Sequence, residues 1–375
     1  DRRTAEACRR LEERGLRPLV RRRTGLVPDP YFSATKMQWL LEEGGVATDP
    51  RLALGTVDAW VLWNLTGGRD GVLATDATNA ARTMLFDVRE RRWSEELAEV
   101  FGVPLGALPE VRPSAGDFGA VAAGAVEGGM LAGVPVAAMA GDQHAALFGQ
   151  ACFERGMAKV TFGTGTFVLL HAGPSCPDPV EGLVTTLAWD LGRFGPPGGA
   201  VAYALEGSVF ASGAGIQWLR DGLGIISAAA ELEPLARSVG SSDGVVVVPA
   251  FTGLGSPLWD PTARGAVTGI TRGTGRAHLA RAMVEAMALQ ATDVLDAMAA
   301  AGVAPTEIRV DGGAAVMDLL LQQLADHARL AVLRPATVET TAVGAATMAG
   351  LAVGLWPSLE ELGRLWRVEA SFRPS

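Results

Sequence analysis

Residues 157–173 read MAKVTFGTGTFVLLHAG: an apolar run, a turn of alternating glycine and threonine, and a second apolar run. The valine, phenylalanine, threonine and leucine on either side form strands readily, and Gly163-Thr164-Gly165 supplies the reversal between them. Such a turn exposes backbone N–H groups, and glycine lets an anion approach them closely. It is able to wrap a phosphate, although an ordinary hairpin turn reads the same way and the lysine of a P-loop is absent.

Working outward, the same layout recurs. EIRVDGGAAV (307–316) is a short strand, a glycine turn and the start of a helical stretch. That arrangement offers backbone amides and a positive helix end to a nucleotide, or serves as a plain βα turn. GVVVVPAF (244–251) is a third strand-like run, and Gly253-Leu254-Gly255-Ser256-Pro257 after it reads as simple chain reversal. Alanine-rich helical stretches surround these runs at 280–302 and 340–356. Short strands alternating with helices predict an α/β fold with ligands at the carboxyl ends of the strands.

Upstream, YFSATKMQWLLEEGG (31–45) places Met37, Leu40 and Leu41 at helical spacing after a stiff Pro28-Asp29-Pro30 entry. TVDAWVLWNLTGG (56–68) predicts a second helix closed by glycines, and ATDATNAART (74–83) a structured loop. Gly133-Val134-Pro135 leads into VAAMA, which predicts a buried strand, then a turn at Gly141-Asp142-Gln143 and a helix from Ala145.

A chain of 375 residues is long for one core, so two domains are expected. The 49% hydrophobic and 19% charged shares are those of a globular protein. A net charge of −9 argues against nucleic acid or an anionic membrane surface as partner, and no apolar run is long enough for a membrane span. Cys8, Cys152 and Cys176 lack metal-type spacing and fit reduced thiols in a cytoplasm, and the four histidines offer no metal pattern. Arginine carries nearly all the positive charge; Lys36 and Lys159 are the only lysines.

Asp142 falls at a strand end, where a carboxylate is able to take a hydroxyl proton as general base; equally, it is a favoured helix cap. Gln143 beside it is able to donate and accept hydrogen bonds to a polyol, whereas His144 reads as a bystander in the first helical turn. Tyr31, in the proline-stiffened loop, either packs at a helix entry or faces a ligand.

YFSATKMQWLLEE (31–43) and GAVTGITRGTGRAHLARAMVE (265–285) closely resemble segments of the FGGY carbohydrate kinases. TDATNAARTMLFD, AGDQHAALFGQ, YALEGSVFASGAGIQWLRDGL, VVPAFTGLGSPLWDP and RVDGGA extend the resemblance from Arg2 almost to the last residue, and toward the branch that acts on glycerol. The resemblance implies two actin-like ATPase domains, each on a ribonuclease-H-like sheet, with the active site in the interdomain cleft. Residues 1–151 would be the remainder of the N-terminal domain and 152–375 the nucleotide-binding C-terminal domain. It implies transfer of the γ-phosphoryl group of ATP, carried with Mg2+, to a terminal hydroxyl of glycerol, in a cytoplasmic enzyme that forms dimers or tetramers.

By the same resemblance Asp142 is the catalytic base, Tyr31, Asp142 and Gln143 contact glycerol, and Phe167 covers its carbon side. Gly163 and Thr164 belong to the phosphate turn, and Gly213, Gln217 and Gly313 line the nucleotide site, with no protein metal ligand expected. Met317 and Asp318 stand where the family has two asparagines, one of them on the adenine side, so altered base recognition is expected at Met317. His144 replaces a usual glutamine. The family also opens on a phosphate-gripping hairpin, an Arg-Glu pair and a tryptophan that this sequence does not contain ahead of Tyr31. The chain is therefore expected to be an incomplete portion with little turnover of its own. Another FGGY sugar or polyol kinase, and a nucleotide-binding remnant without turnover, are the alternatives; Phe167 favours a small acceptor.

Overall fold

The 157–173 stretch folds as a hairpin of two long strands, β1 (Met157–Phe162) and β2 (Thr166–Gly173), with Phe162 opposite Thr166 and Gly163-Thr164-Gly165 as the turn. In the computed structural model, which describes residues 2–375, this hairpin is the centre of a seven-stranded mixed sheet. The other strands are β3 (Val184–Asp190), β4 (Val201–Val209), β5 (Glu307–Asp311), β6 (Val332–Pro335) and β7 (Val368–Phe372), and the order is β7-β6-β5-β1-β2-β4-β3. β5 runs parallel to both β1 and β6, and the other neighbours are antiparallel.

The two-residue alternation of the strands divides their side chains between two helical layers. Four helices matter: α1 (Asp142–Gly149), α2 (Arg276–Ala300), α3 (Asp318–Ala328) and α4 (Thr340–Ala352). Ala158, Val160 and Phe162 of β1 and Val168 and Leu170 of β2 join the core beneath α2 and α3. Met157, Leu169, Ala202 and Ala204 face the opposite way, toward Leu147 and Phe148 of α1 and Met348 and Leu351 of α4. α1 and α4 touch backbone to backbone: a Cβ on Gly344 would lie 1.7 Å from the Ala145 carbonyl oxygen, and one on Gly149 2.0 Å from that of Thr340. This contact fixes where α1 lies, and α1 starts at Asp142.

In the first 150 residues the expected helices are present as Ala34–Glu42 and Val57–Leu65. Strands there are short: Ala74–Asp76 pairs in parallel with Glu110–Arg112, and Phe86–Asp87 pairs with Arg92–Trp93. Among the described residues this part carries no large sheet. Leu26, Phe32, Met37, Leu85 and Phe101 form a local core. Ala77, Ala80, Phe86 and Val88 pack into the same cluster as Val160 and Leu205.

One expectation needs correction. VAAMA (136–140) is not a regular buried strand; irregular backbone bonds hold it, such as Val136 N to Gly119 O and Met139 N to Ser114 O. The register slips along the pair, since Gly116 N meets Ala137 O while Val136 N meets Gly119 O, so only isolated bridges form. The strand-like run at 244–251 is present as Val246–Val248, which among the described residues pairs with Ala266–Thr268 outside the large sheet.

Candidate active site

The corner at Gly141-Asp142 is built from below by the 74–83 loop. Asp76 caps the short helix Ala77–Ala80, accepting from the backbone N–H groups of Thr78 and Asn79, and Ser114 Oγ donates to it at 2.5 Å. Full burial raises the pKa of Asp76, and these donors oppose the rise. Thr78 Oγ1 donates to Asp76 and accepts from Gly141 N at 2.8 Å, which ties the loop to the corner.

Asp142 is the first residue inside α1, and Gly141 occupies the capping position. The cap reading of Asp142 is thereby corrected: its Oδ1 accepts from the adjacent Gln143 N at 2.8 Å, and Oδ2 from Gln143 Nε2 at 3.3 Å. The carboxylate is exposed, and the positive helix end favours it there. Gln143 Oε1 accepts from Lys159 Nζ at 2.5 Å, and the same ammonium donates to Thr161 Oγ1 at 2.8 Å. Lys159 is 0% exposed; burial pulls its pKa down, while Asp311, Glu206 and Asp142 oppose the fall.

Tyr31 is exposed and meets Phe32 edge to face at 5.2 Å. Arg82 lies 5.7 Å from the Tyr31 ring centre and 5.3 Å from that of Phe32. Its guanidinium forms a two-point pair with Glu206 of β4, at 2.6 and 2.9 Å, and Glu206 is 2% exposed. Burial works against the charge on Arg82, yet Glu206 and Tyr31 hold its pKa above the ordinary value. His144 lies buried nearby with Nε2 3.4 Å from Thr186 Oγ1; burial, then Arg82 and Lys159, hold its pKa well below 6.5.

A cavity of about 810 Å³ opens beside Tyr31 and Phe167, with Lys36, Phe210, Leu254 and Trp259 also on its wall. Asp142 and Gln143 are not part of its lining.

On the other side the glycine turns converge. Asp311 is opposite Thr161 on parallel strands, so the turns after β5 and β1 leave the same end of the sheet. A Cβ on Gly312 would lie 2.6 Å from Phe162 O, and one on Gly213 2.6 Å from Gly163 O. Gly213 N donates to Gly163 O at 2.9 Å, and Ser212 N and Ala214 N both donate to Thr164 O at 3.0 Å. Gly163, Thr164, Gly213 and Gly313 therefore surround one corner, with Gln217 exposed at the far end of the short helix Gly213–Gln217. Asp311 accepts from Gln150 and Thr340 through Oδ2, while its buried Oδ1 has no hydrogen-bond partner. The Met317 side chain is 5% exposed and belongs to the core beneath α2 and α3, so the adenine contact expected of it is not available to that side chain. Val316 and Asp318 are the exposed residues beside it.

Three participants escaped the reading of the sequence as site residues: Arg82, Glu206 and Lys159. Glu206 and Lys159 did leave a signal, since each is a lone charge inside a strand-like apolar run. Among the described residues no group of three or more His, Cys, Asp or Glu side chains is arranged to hold a metal, and no helix is long and apolar enough to cross a membrane.

Strand-end glycine turns, an exposed carboxylate beside an amide, and aromatic rings are the equipment expected of a kinase that phosphorylates an alcohol. Residues 1–149 match the N-terminal domain of the FGGY family of carbohydrate kinases and residues 158–353 its C-terminal domain. The chain is 51% identical to the glycerol kinase of Acidovorax sp. (strain JS42), across all of this chain and 75% of that protein. It is 50% identical to the glycerol kinase of Rhodospirillum rubrum, across all of this chain and 74% of that one. The crystal structure of Plasmodium falciparum glycerol kinase with ADP superposes with a TM-score of 0.91 at 31% identity, covering all of this chain and 74% of that one. A xylulose kinase from Lactobacillus acidophilus shares the fold, with a TM-score of 0.86 at 19% identity, over all of this chain and 74% of that one. This chain belongs to the FGGY family of carbohydrate kinases.

Proposed function

We propose that the protein transfers the γ-phosphoryl group of ATP to a terminal hydroxyl of glycerol, giving sn-glycerol 3-phosphate and ADP. The observation that carries this reading is the 51% identity to a glycerol kinase over the whole of the chain. Phosphoryl transfer needs positioning and charge stabilisation more than covalent help, and the two sides of the corner are suited to those tasks. Asp142 accepts the hydroxyl proton as the new O–P bond forms, and Gln143 donates to a second hydroxyl. Tyr31 and Phe167 flank the carbon chain. The turns at Gly163, Thr164, Gly213 and Gly313 border the phosphates, which take the backbone N–H groups there that are not already bonded within the turns, with Gln217 toward the nucleoside. Met317 would border the base through its backbone alone. Magnesium arrives as part of the MgATP substrate and neutralises phosphate charge.

In the same proposal residues 1–151 present the acceptor and 152–375 the nucleotide, in a cytoplasmic enzyme that assembles as dimers or tetramers; sedimentation of the chain checks the assembly. The cavity of about 810 Å³ is bordered by Tyr31 and Phe167 but not by Asp142 or Gln143, so the preference for glycerol is assigned to the polar contacts rather than to enclosure. Calorimetric titration is the test. Saturable binding of glycerol and of MgATP is expected, and Asp142→Asn should spare the nucleotide. Binding of a pentulose in preference to glycerol, or of neither acceptor, would overturn the reading.

A further inference from the structure

Lys159 is an anomaly on physical grounds. It occupies a strand position with 0% exposure, where an ammonium is costly and an apolar side chain would pack without penalty. Among the described residues its hydrogen bonds go only to neutral groups, Gln143 Oε1 at 2.5 Å and Thr161 Oγ1 at 2.8 Å. Glu206 is no direct partner. Leu169 of β2 is paired with Lys159 on one side and with Glu206 on the other, so the two charges stand two strands apart, about 10 Å at ordinary strand spacing.

The contact with Gln143 has a definite chemical sense. An ammonium has no acceptor, so whatever faces it must be the amide oxygen, and the NH2 end must point the other way. That end lies 3.3 Å from Asp142 Oδ2. One N–H is thus engaged with the carboxylate, and the other is free to meet a ligand. Without Lys159 the amide could rotate and present its oxygen instead, setting two acceptors side by side at Asp142 and Gln143.

We propose that Lys159 is a positioning residue: from inside the sheet it locks the Gln143 carboxamide so that the Asp142-Gln143 pair offers an acceptor hydroxyl one acceptor and one donor. The inference rests on the reading of the site as an alcohol kinase. Lys159 touches no substrate and acts only through Gln143, and that makes it separable from a merely structural lysine.

Lys159→Met removes the ammonium and keeps the bulk. Thermal stability is expected to fall, because the buried carboxylates Asp311 and Glu206 lose a cation that offsets their charge, so glycerol affinity is the deciding readout. The glycerol dissociation constant should rise about tenfold or more, the loss of one well-placed hydrogen bond, while nucleotide affinity stays within about twofold. Lys159→Gln, which keeps a donor without the charge, should recover much of the loss. In a Gln143→Leu background, Lys159→Met should add nothing further. A lowered melting temperature with unchanged glycerol affinity would overturn the inference, as would full additivity of the two substitutions. If the unmodified chain binds no glycerol, the alcohol-kinase reading itself has failed. The local claim is then decided by a thermal-unfolding cycle between positions 143 and 159, in which zero coupling refutes it and clear coupling supports it.

Discussion

The two sides of the corner at Asp142 are made of different material. The side proposed for phosphate is backbone: Gly213 and Gly312 lie where a Cβ would come within 2.6 Å of a neighbouring carbonyl oxygen. The acceptor side is side chains held by charge, with Arg82 on Glu206, Lys159 on Gln143, and Asp76 and Thr78 under Gly141. A phosphate needs many N–H donors at close range, which glycine turns supply without any particular side chain. An alcohol needs one donor and one acceptor correctly aimed, which takes side chains that are themselves held in place.

Substitutions sharpen or break this contrast. Asp142→Asn should have the largest effect, lowering turnover by about 10²–10⁴-fold while nucleotide affinity is kept, since it deletes the proton acceptor alone. Turnover is measured by the release of ADP in a coupled assay. Unchanged turnover would reduce Asp142 to a helix-start residue. Next, Glu206→Leu strands Arg82 beneath Tyr31, and breaking a buried pair from one side costs about 3–5 kcal/mol. Chemical denaturation should register that loss, and glycerol affinity should fall with it. Gly312→Ala attacks the backbone side; at a φ of 88°, with Phe162 O in the way, it should cost about 1–3 kcal/mol and weaken nucleotide more than glycerol. Equal weakening of both ligands by these two variants would dissolve the distinction between the sides.

The smallest effect concerns pH. The folded-state pKa of His144 is depressed well below 6.5, by burial first and then by Arg82 and Lys159. The unfolded chain therefore binds the proton first as pH falls. Stability present above about pH 6.5 is lost below it, at up to about 1.4 kcal/mol per pH unit from this group, until the folded form also protonates. His144→Gln should flatten the melting temperature between pH 6.5 and 5; an identical slope in the variant would remove His144 as the cause.

How much was legible follows the same division. Glycine turns are written locally, so MAKVTFGTGTFVLLHAG and RVDGGA announced both strand-end turns, and the helices at 34–42 and 57–65 followed from apolar spacing. The strand read into VAAMA was not regular, because its backbone bonds to residues 114–119 slip register along the pair, a property of the partner segment that local spacing does not record. Asp142 looked like a cap because spacing cannot distinguish the capping position from the first helical one. Met317 looked like a nucleotide contact until α2 and α3 enclosed its side chain.

By itself the sequence determined the α/β class, the two glycine turns, the family and the identity of Asp142-Gln143 as the polar pair in an apolar setting. Those features rest on residues near one another in the chain, where propensity and turn chemistry act. Only the tertiary structure decided which charges would be buried together. Arg82 and Glu206 are 124 residues apart, and Lys159 meets Gln143 only because α1 lies across that face of the sheet, fixed by its contact with α4. The cost of a buried charge, and so its usefulness in aiming a neighbour, is set by what surrounds it in space, which no local stretch of sequence records.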